Sequence, residues 1–383
     1  MVRFATLVTL LFIFFSQLNP AEVRAQGFSQ GKNHRLLNFS DDYTPQSLHE
    51  ALSSSLQYLA CIPEDREYKV CGSIVRAGDI ADSLKFFEQL LQEHHSPAEF
   101  NRLVQENFQI CQAESTEKAE EILVTGYFEP VYRGSLERKH PYFYPLYEQP
   151  LDLIKKDGGE GIKSCRMENG KDVPYWTRAE IEEGQLLAGR ELVYLADPVE
   201  AFILHVQGSG TIRFENGTTR RIHYAAKNGR EYSSIGRLLV DEGRMELEQV
   251  NLPSIIAYLK EHPEQRKRIL YHNESYIFFR WGESGPRGVL DEELTPERSV
   301  ALDQAYFPPG MLGYLVTEKP VTDKAGNVVS WLPMKRFVLN HDTGSAIKGP
   351  GRLDFFWGRG DYAETAAGMM KHPGRFYVLL QKK

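Results

Sequence analysis

The hydrophobic residues in the first third of the chain follow the 3.6-residue period of amphipathic helices. Three segments between residues 44 and 108 each place leucines and phenylalanines on one face. Thr44 with Pro45, and Ser96 with Pro97, form the N-cap and first-turn pairs that begin many helices. The pattern therefore predicts three N-terminal helices.

After residue 122 the pattern changes to short apolar runs separated by glycine and proline, which is typical of strands and turns. Such runs occupy residues 122–134, 191–214, 221–232, 275–281, 313–320, 335–340 and 375–380. Helical periodicity returns at 235–243, at 252–264 and at 360–374, where Asp361 is the predicted N-cap and Gly374 lies near the predicted end. Because helices precede strands without βαβ alternation, we predict an α+β protein, mainly β, with barrel-like sheets.

Length and charge narrow the classes of function. A chain of 383 residues fits two domains, and 42% hydrophobic with 25% charged residues is typical of a folded protein. The net charge is −7 at pH 7, and there is no dense run of lysine and arginine. We therefore expect no nucleic acid as a partner.

The first 25 residues have the pattern of a secretory signal peptide. Arg3 precedes an apolar run from residue 4 to residue 15, and small residues around Ala25 form a cleavage site. The run is too short to span a membrane. We predict export, with no cysteine near the cleavage point to carry a lipid anchor.

The four cysteines are Cys61, Cys71, Cys111 and Cys165. An even number in an exported protein permits disulfides, and Cys61 with Cys71 would close a short loop, so we predict that pair. Neither the cysteines nor the histidines show the spacing of metal ligands. No metal or organic cofactor is predicted.

Two aspartates stand out in the stretch NHDTGSAIKGPGRLDFFWGRGD at 340–361. Asp342 begins an Asp-Thr-Gly-Ser sequence like that of aspartic proteases, but such enzymes need two of these aspartates and the chain has one. A protease is therefore left as an alternative that requires a dimer. Asp354 lies between Leu353 and an aromatic run, where apolar neighbours would raise its pKa and suit a general acid beside sugar rings; a structural strand-edge aspartate is the alternative.

Two further stretches combine polar side chains with glycine. VTGYFEPVYRGS contains Thr125, Tyr127 and Glu129, and HVQGSGTIRF contains Gln207 and Ser209. Glycines at such positions let a ligand approach the backbone closely, but they also mark ordinary hairpin turns. Residue chemistry alone leaves both interpretations open.

The order of these motifs resembles the membrane-bound lytic transglycosylase A family of exported bacterial enzymes that cleave murein. VTGYFEP, VQGSG, ALDQAYFPPGMLGYL, DTGSAIKGPGRLDFFWG and PGRFYVLL occur in family order from about residue 40 to the C-terminus. The segment from about residue 295 resembles the 3D domain, which is named for three aspartates. Here these would be Asp303, Asp342 and Asp354.

The resemblance implies a double-psi β-barrel made from residues 40–130 and 271–383, with a second β-domain at 131–270 inserted into it. The cleft between them would bind the glycan. Side chains implied to line it are Thr125, Tyr127 and Glu129 from one side and Gln207 and Ser209 from the other.

The implied reaction is cleavage of the β-1,4 bond between N-acetylmuramic acid and N-acetylglucosamine. Asp354 would act first as acid and then as base while the muramic 6-hydroxyl attacks C1, so that a 1,6-anhydro end forms without water. Because this attack is intramolecular, no second nucleophilic carboxylate is needed. Asp342 would support the reaction and Asp303 the structure, while Lys348 would contact murein carboxylates.

Two other functions remain open at the level of sequence. One is a hydrolytic muramidase that uses Asp354 with Glu129 or Asp342, and the other is a wall-binding protein without catalysis. The expected partner is the glycan strand of peptidoglycan, bound by a monomer in the periplasm. Association with the outer membrane or a wall-synthesis complex stays open, since the chain lacks a lipobox cysteine.

Overall fold

The computed structural model describes residues 28–29, 37–114, 121–158 and 161–383. The predicted signal peptide lies outside these residues. The helices are α1 (Pro45–Ala60), α2 (Ala77–Gln92), α3 (Pro97–Asn107), α4 (Arg178–Gly184), α5 (Pro198–Gln207), α6 (Ile235–Asp241), α7 (Leu252–Glu261), α8 (Pro263–Tyr271) and α9 (Asp361–Met369), with a 3₁₀ turn at Leu247–Gln249.

The strands are β1 (Phe28–Ser29), β2 (Glu67–Val70), β3 (Ser73–Arg76), β4 (Phe108–Ala113), β5 (Ile122–Glu129), β6 (Val131–Ser135), β7 (Tyr144–Tyr147), β8 (Ile154–Gly158), β9 (Gly161–Glu168), β10 (Lys171–Pro174), β11 (Glu191–Leu195), β12 (Gly210–Arg213), β13 (Thr219–Lys227), β14 (Ile277–Gly282), β15 (Ser299–Ala301), β16 (Leu312–Thr322), β17 (Val328–Asp342), β18 (Arg352–Arg359) and β19 (Lys371–Gln381). Strands are more numerous than helices, as an α+β, mainly β protein requires.

The three predicted N-terminal helices are present and cover one side of a barrel. α1 buries Leu48, Leu52 and Leu59. α2 begins earlier than its apolar period suggested, because the amide of Arg76 donates to Asp79 Oδ2 at 2.9 Å and starts the helix directly after β3. The apolar faces of these helices join the barrel interior in one large hydrophobic core.

Six strands close the barrel in the order β19-β16-β17-β15-β18-β5, and β5 pairs back onto β19. The strands come from both ends of the described chain, since β5 lies near residue 125 and the other five follow residue 298. Their pairing places β5 parallel to β18 and β15 parallel to β17. The closed sheet holds the functional residues described below on its rigid strands.

A second six-stranded sheet, in the order β14-β13-β12-β6-β11-β7, is formed by the chain between β5 and β15. A single bridge from Glu148 to Phe279 joins β14 to the residue after β7, so the edges of this sheet approach each other. The meander β10-β9-β8 packs beside it. Two smaller apolar clusters form the interior of this part. The boundaries at 131 and 270 stay a prediction.

One predicted stretch of strands and turns, residues 191–214, contains a helix instead. β11 ends at Leu195, and α5 then runs from Pro198 to Gln207 before β12 begins. Asp197 Oδ1 accepts from the amide of Val199 at 2.7 Å and caps α5. The apolar run in this helix is buried on nearly every side, and such a run has no period that separates a helix from a strand.

The predicted C-terminal helix at 360–374 is too long at its end and wrong in its cap. Gly360, not Asp361, is the N-cap, and α9 ends at Met369. Residues from Lys371 onward pair with β5, and Gly374 lies opposite Ile122. A Cβ at Gly374 would come within 2.6 Å of Val124 Cγ2, so glycine serves close strand packing there and not helix termination.

The predicted disulfide between Cys61 and Cys71 is wrong. Cys71 bonds to Cys111, with their Cα atoms 6.0 Å apart, whereas Cys61 is an exposed free thiol and Cys165 a buried one. Cys61 ends α1, but Cys71 sits in the turn between β2 and β3, which lies against β4. The bond therefore forms between the cysteines that meet in the folded chain, and not between those that are closest in sequence.

Candidate active site

Three neighbouring barrel strands bring two aspartates to one site. Ala301 on β15 pairs with Asp342 on β17 at one side and with Asp354 on β18 at the other. Because adjacent strands lie about 4.8 Å apart, the two aspartate Cα atoms are about 10 Å apart and their side chains share one face. The small Ala301 side chain between them leaves that space open.

Asp354 is held through one oxygen only. In the parallel pairing of β18 with β5 it lies opposite Thr125, whose hydroxyl donates to Asp354 Oδ1 at 2.8 Å. Its other oxygen, Oδ2, has no hydrogen-bond partner among the described residues. Burial raises the pKa of Asp354, although the Thr125 hydroxyl and the charge of Arg352 act in the opposite direction.

Asp342 is held through both oxygens. Tyr127 donates its hydroxyl to Asp342 Oδ2 at 3.1 Å, and the amide of Thr343 donates to Oδ1 at 2.8 Å. A backbone hydrogen bond from Val289 also reaches this carboxylate. Burial outweighs these donors and, together with the charge of Asp354, raises the pKa of Asp342 to about 7.

Tyr127 spans the space between the two acids. Its ring lies 5.1 Å from that of Phe356, between centroids, and its hydroxyl reaches across to β17. Burial and the two nearby carboxylates raise the pKa of Tyr127 well above its usual value, so this hydroxyl remains a donor. It therefore supports the ionised form of Asp342.

The aromatic run after Asp354 does not face the cleft. Phe355, Phe356 and Trp357 are 0%, 2% and 3% exposed, so they pack into the protein and offer no open ring to a sugar. The sequence-based expectation of an aromatic platform at these residues is wrong. Their contribution is to exclude water from the surroundings of Asp354, which explains the direction of its pKa shift.

Glu129, at the end of β5, lies away from the two acids and is engaged inside the protein. Its side chain is 4% exposed, and its Oε1 accepts from the hydroxyl of Thr211 at 2.6 Å. Arg221 Nε lies 3.8 Å from the same oxygen. These contacts join the barrel strand β5 to β12 and β13 of the second sheet.

Gln207 and Ser209 lie where the second sheet meets the same strand. Gln207 ends α5, and its Oε1 accepts from the amide of Phe128 at 3.1 Å. Gly208 between them has a φ of 79°, which only glycine adopts freely, so the chain turns sharply here. Both residues are half-buried, and Gln207 contacts β5 through Phe128.

Asp303 and Lys348 belong to one loop arrangement beside Asp342. Asp303 Oδ2 accepts from the amide of Gly349 at 2.8 Å and thereby holds the loop that follows β17. Lys348 is exposed on this loop. Burial lowers the pKa of Lys227 on β13, and the nearby charge of Lys348 lowers it further. The loop therefore lies near the second sheet.

Two parts of the site were not predicted. His341, directly before Asp342, is buried between the hydroxyls of Ser55 at 2.9 Å and Ser299 at 2.8 Å. Burial lowers its pKa to about 4, so it is neutral and fixes the strand position of Asp342.

The second part is the 283–291 loop that supplies the Val289 contact. Its signal in the sequence is the three glycines of GESGPRG, where a Cβ on Gly288 would clash with the His341 carbonyl oxygen.

Neither a metal centre nor a spanning helix is found in the described parts of the chain. No three His, Cys, Asp or Glu side chains lie together there as metal ligands do. None of the helices described is long and apolar enough to cross a membrane.

Comparison with known proteins identifies the family. Residues 123–280 match the MltA specific insert domain, and residues 298–380 match the 3D domain. The membrane-bound lytic murein transglycosylase A of Vibrio cholerae serotype O1 is 30% identical over 98% of this chain and 94% of its own length. The chain belongs to the membrane-bound lytic murein transglycosylase A family. The predicted family and enzyme class are thereby confirmed.

Solved structures of this family have the same fold. The membrane-bound lytic murein transglycosylase of Agrobacterium tumefaciens gives a TM-score of 0.73 at 28% identity, over 89% of this chain and 93% of that one. MltA of Escherichia coli with bound chitohexaose gives 0.68 at 25% identity, over 91% and 94%. The prediction of a double-psi β-barrel with an inserted second β-domain is confirmed as the fold class.

Proposed function

We propose that this protein cleaves the β-1,4 bond between N-acetylmuramic acid and N-acetylglucosamine in peptidoglycan, leaves a 1,6-anhydromuramic end, and uses Asp354 as its single acid and base. The observation that carries the proposal is the state of the Asp354 carboxyl group. One oxygen is fixed by Thr125 at 2.8 Å, the other has no partner among the described residues, and burial favours the protonated form. A general acid needs this combination of fixed position and available proton.

Asp342 is less suited to the role of acid, although its pKa is raised to about 7. Three donors, from Tyr127, Thr343 and Val289, already occupy its oxygens, and these hydrogen bonds favour its ionised form. An ionised carboxylate at this position lowers the energy of positive charge at the sugar C1. We therefore assign Asp342 to electrostatic support.

The reaction then needs one proton carrier. Asp354 gives its proton to the glycosidic oxygen as the bond from C1 to that oxygen breaks, and the released sugar leaves as an alcohol. The 6-hydroxyl oxygen of the muramic residue attacks C1 and returns its proton to Asp354, which restores the starting state. Intramolecular attack supplies a high effective concentration of the nucleophile, so no water has to be held.

The substrate cleft lies between the barrel and the inserted β-domain, which we place at residues 131–270. Thr125 and Tyr127 line it from the barrel, and Gln207 and Ser209 from the inserted side. The bound chitohexaose of the Escherichia coli relative supports a glycan as ligand. Glu129 is proposed to align the two halves through Thr211, and Lys348 to contact murein carboxylates across the cleft.

Export and assembly are part of the proposal. The predicted signal peptide at 1–25 and the relatives named as membrane-bound support a place in the cell envelope. We propose a monomeric periplasmic enzyme that meets glycan strands directly.

Mass spectrometry of digested murein tests the reaction. The mature protein should release anhydromuropeptides, which are lighter by one water than hydrolysed products. Asp354→Asn should lower the rate by about a thousandfold, since it removes the general acid. The matched control is Asp361→Asn, an exposed first-turn residue of α9 with no contact to the site, which should keep the wild-type rate.

The products separate the alternatives. Reducing ends instead of anhydro ends would establish a hydrolytic muramidase and require a second carboxylate. Retention of murein by the wild-type protein without any product would establish a binding protein, and full activity of Asp354→Asn would show that another group is the acid.

A further inference from the structure

A wide cavity rich in arginine opens where the second sheet meets the end of β18. Its volume is about 950 Å³. The basic side chains that define this arginine cavity are Arg220, Arg221, Arg280, Arg287, Arg359 and His223. Two acidic side chains, Glu283 and Asp291, also line it. Five guanidinium groups in one cavity are unexpected on a chain whose net charge is −7.

Three of these charges have no acidic partner in the described structure. Arg287 lies 3.5 Å from Asp291, and Arg221 lies 3.8 Å from Glu129. Among the described residues no carboxylate lies within ion-pair distance of Arg220, Arg280 or Arg359. Arg220 stacks on the ring of Trp281, 3.8 Å from its centroid, which holds the guanidinium in place and leaves its donors open.

His223 adds a polar group that lacks a partner. The residue is 4% exposed and lies in the cavity wall. Its Nε2 faces the carbonyl of Ser284 at 3.1 Å, so Nε2 carries the proton and Nδ1 offers a lone pair. Nδ1 is buried without a hydrogen-bond partner. Because this nitrogen has no surface open to a ligand, the groups available for binding in the cavity are the guanidinium groups.

The cavity is connected to the two acids by short stretches of chain. Arg359 follows Asp354 on the same strand, and five residues of strand span at most about 17 Å. The 283–291 loop provides Arg287 to the cavity wall and the Val289 hydrogen bond to Asp342. A glycan held at the acids therefore presents its neighbouring side groups to the arginines.

We propose that the arginine cavity binds carboxylates carried by the murein strand, so that the enzyme prefers acidic strands to neutral ones. This inference rests on the proposed function. Guanidinium groups bind carboxylates through paired, charge-assisted hydrogen bonds. Murein offers two sources: the free carboxylates of its stem peptides, and the lactyl carboxylate that is exposed when the peptide is removed.

The peptide is the source that the cavity fits better. A stem peptide carries more than one free carboxylate, and more than one guanidinium group of the cavity lacks an acidic partner among the described residues. A bare muramic residue carries a single lactyl carboxylate. The enzyme should therefore bind peptide-bearing strands more tightly than bare ones.

Calorimetric titration of the full mature protein tests this, in an Asp354→Asn background that prevents turnover. The probes are a peptide-bearing murein oligosaccharide, the same oligosaccharide after removal of its peptides by an amidase, and neutral chitohexaose. Arg220→Gln with Arg280→Gln should weaken binding of the peptide-bearing probe by about 10- to 100-fold, the range for lost charge-assisted hydrogen bonds. Binding of chitohexaose should change less than twofold.

Arg375→Gln is the matched control, because Arg375 is an exposed arginine of β19 outside the cavity. It should leave all three affinities unchanged. A loss confined to the peptide-bearing probe assigns the cavity to the stem peptide, and an equal loss for the bare strand assigns it to the lactyl carboxylate.

An unchanged affinity for both acidic probes, or an equal loss for chitohexaose, would overturn the inference. Failure of the proposed function looks different. In that case the Asp354→Asn protein binds none of the three probes and the wild-type protein cleaves no murein.

Discussion

At the scale of single residues, the site is defined by how unequally two aspartates are held. Asp354 has one oxygen fixed and one open, whereas Asp342 accepts from several donors. Burial raises the pKa of both. In the proposed reaction, these different surroundings give the same chemical group two tasks, proton transfer at Asp354 and charge stabilisation at Asp342.

Thr125 should act as a positioning residue for Asp354. Thr125→Val keeps the shape but removes the hydroxyl that donates at 2.8 Å, so we expect kcat to fall about 10- to 100-fold with KM nearly unchanged. That hydroxyl lowers the pKa of Asp354, so its loss should also move the alkaline limb of the pH–rate profile to higher pH. Steady-state kinetics across pH measures both effects.

The conservative variant Thr125→Ser separates this role from a structural one. Serine retains a hydroxyl, so its pH–rate profile should match that of the wild type. A profile that stays in place for Thr125→Val, whatever the rate, would contradict the assignment.

Asp342 should make stability depend on pH. Its pKa is raised to about 7 in the folded protein, so its contribution is present at low pH and is lost as pH rises towards 7. Between pH 5 and pH 8 the wild type should lose about 2 kcal/mol of unfolding free energy relative to Asp342→Asn. Urea unfolding of both proteins at the two pH values measures the difference. A constant difference across pH would show that the folded-state pKa is not raised.

At the scale of elements, strand register decides which residues meet. The pairing of β15 with both β17 and β18 puts Asp342 and Asp354 on either side of Ala301. Parallel pairing of β5 with β18 then adds Thr125. A shift of one residue in either register would turn the shifted side chains to the opposite face, so the two aspartates and Thr125 would no longer meet.

Local periodicity predicted the N-terminal helices well but failed at α5 and at the end of α9. α5 is apolar on nearly every side, so it lacks the polar face that marks a surface helix. Residues 371–374 carry no local signal for a strand, and only their pairing with β5 makes them one. The first error arises because an apolar run has no distinctive period, and the second because pairing with a distant strand overrides local preference.

The disulfide is a testable consequence of element packing. The bond from Cys71 to Cys111 closes 40 residues and ties the β2–β3 turn to β4. Cys71→Ser with Cys111→Ser should lower the unfolding free energy by about 3–4 kcal/mol, because the unfolded chain regains the entropy of the open loop. Denaturant titration under oxidising conditions measures this. Cys61→Ser is the control and should have little effect, and a large loss there would contradict the pairing.

At the scale of the whole molecule, the site lies where two β-structures meet. Gln207 accepts from the β5 backbone, and Glu129 at the end of β5 accepts from Thr211. These contacts join the barrel to the second sheet. The arginine cavity uses the same junction, since Arg359 comes from the barrel and Arg220 and Arg280 from the second sheet.

Residue types and motifs were sufficient to identify the family and the α+β class, and they singled out the two aspartates that the structure brings together. Motifs such as RLDFFWG and VTGYFEP made these identifications possible, because residue types and short spacings can be read directly from the sequence. The three-dimensional structure was needed to show that Cys71 pairs with Cys111, that the aromatic run after Asp354 is buried, and that Glu129 accepts from Thr211. Burial, register and pairing depend on segments that lie from 40 to 229 residues apart, and no local pattern records such contacts.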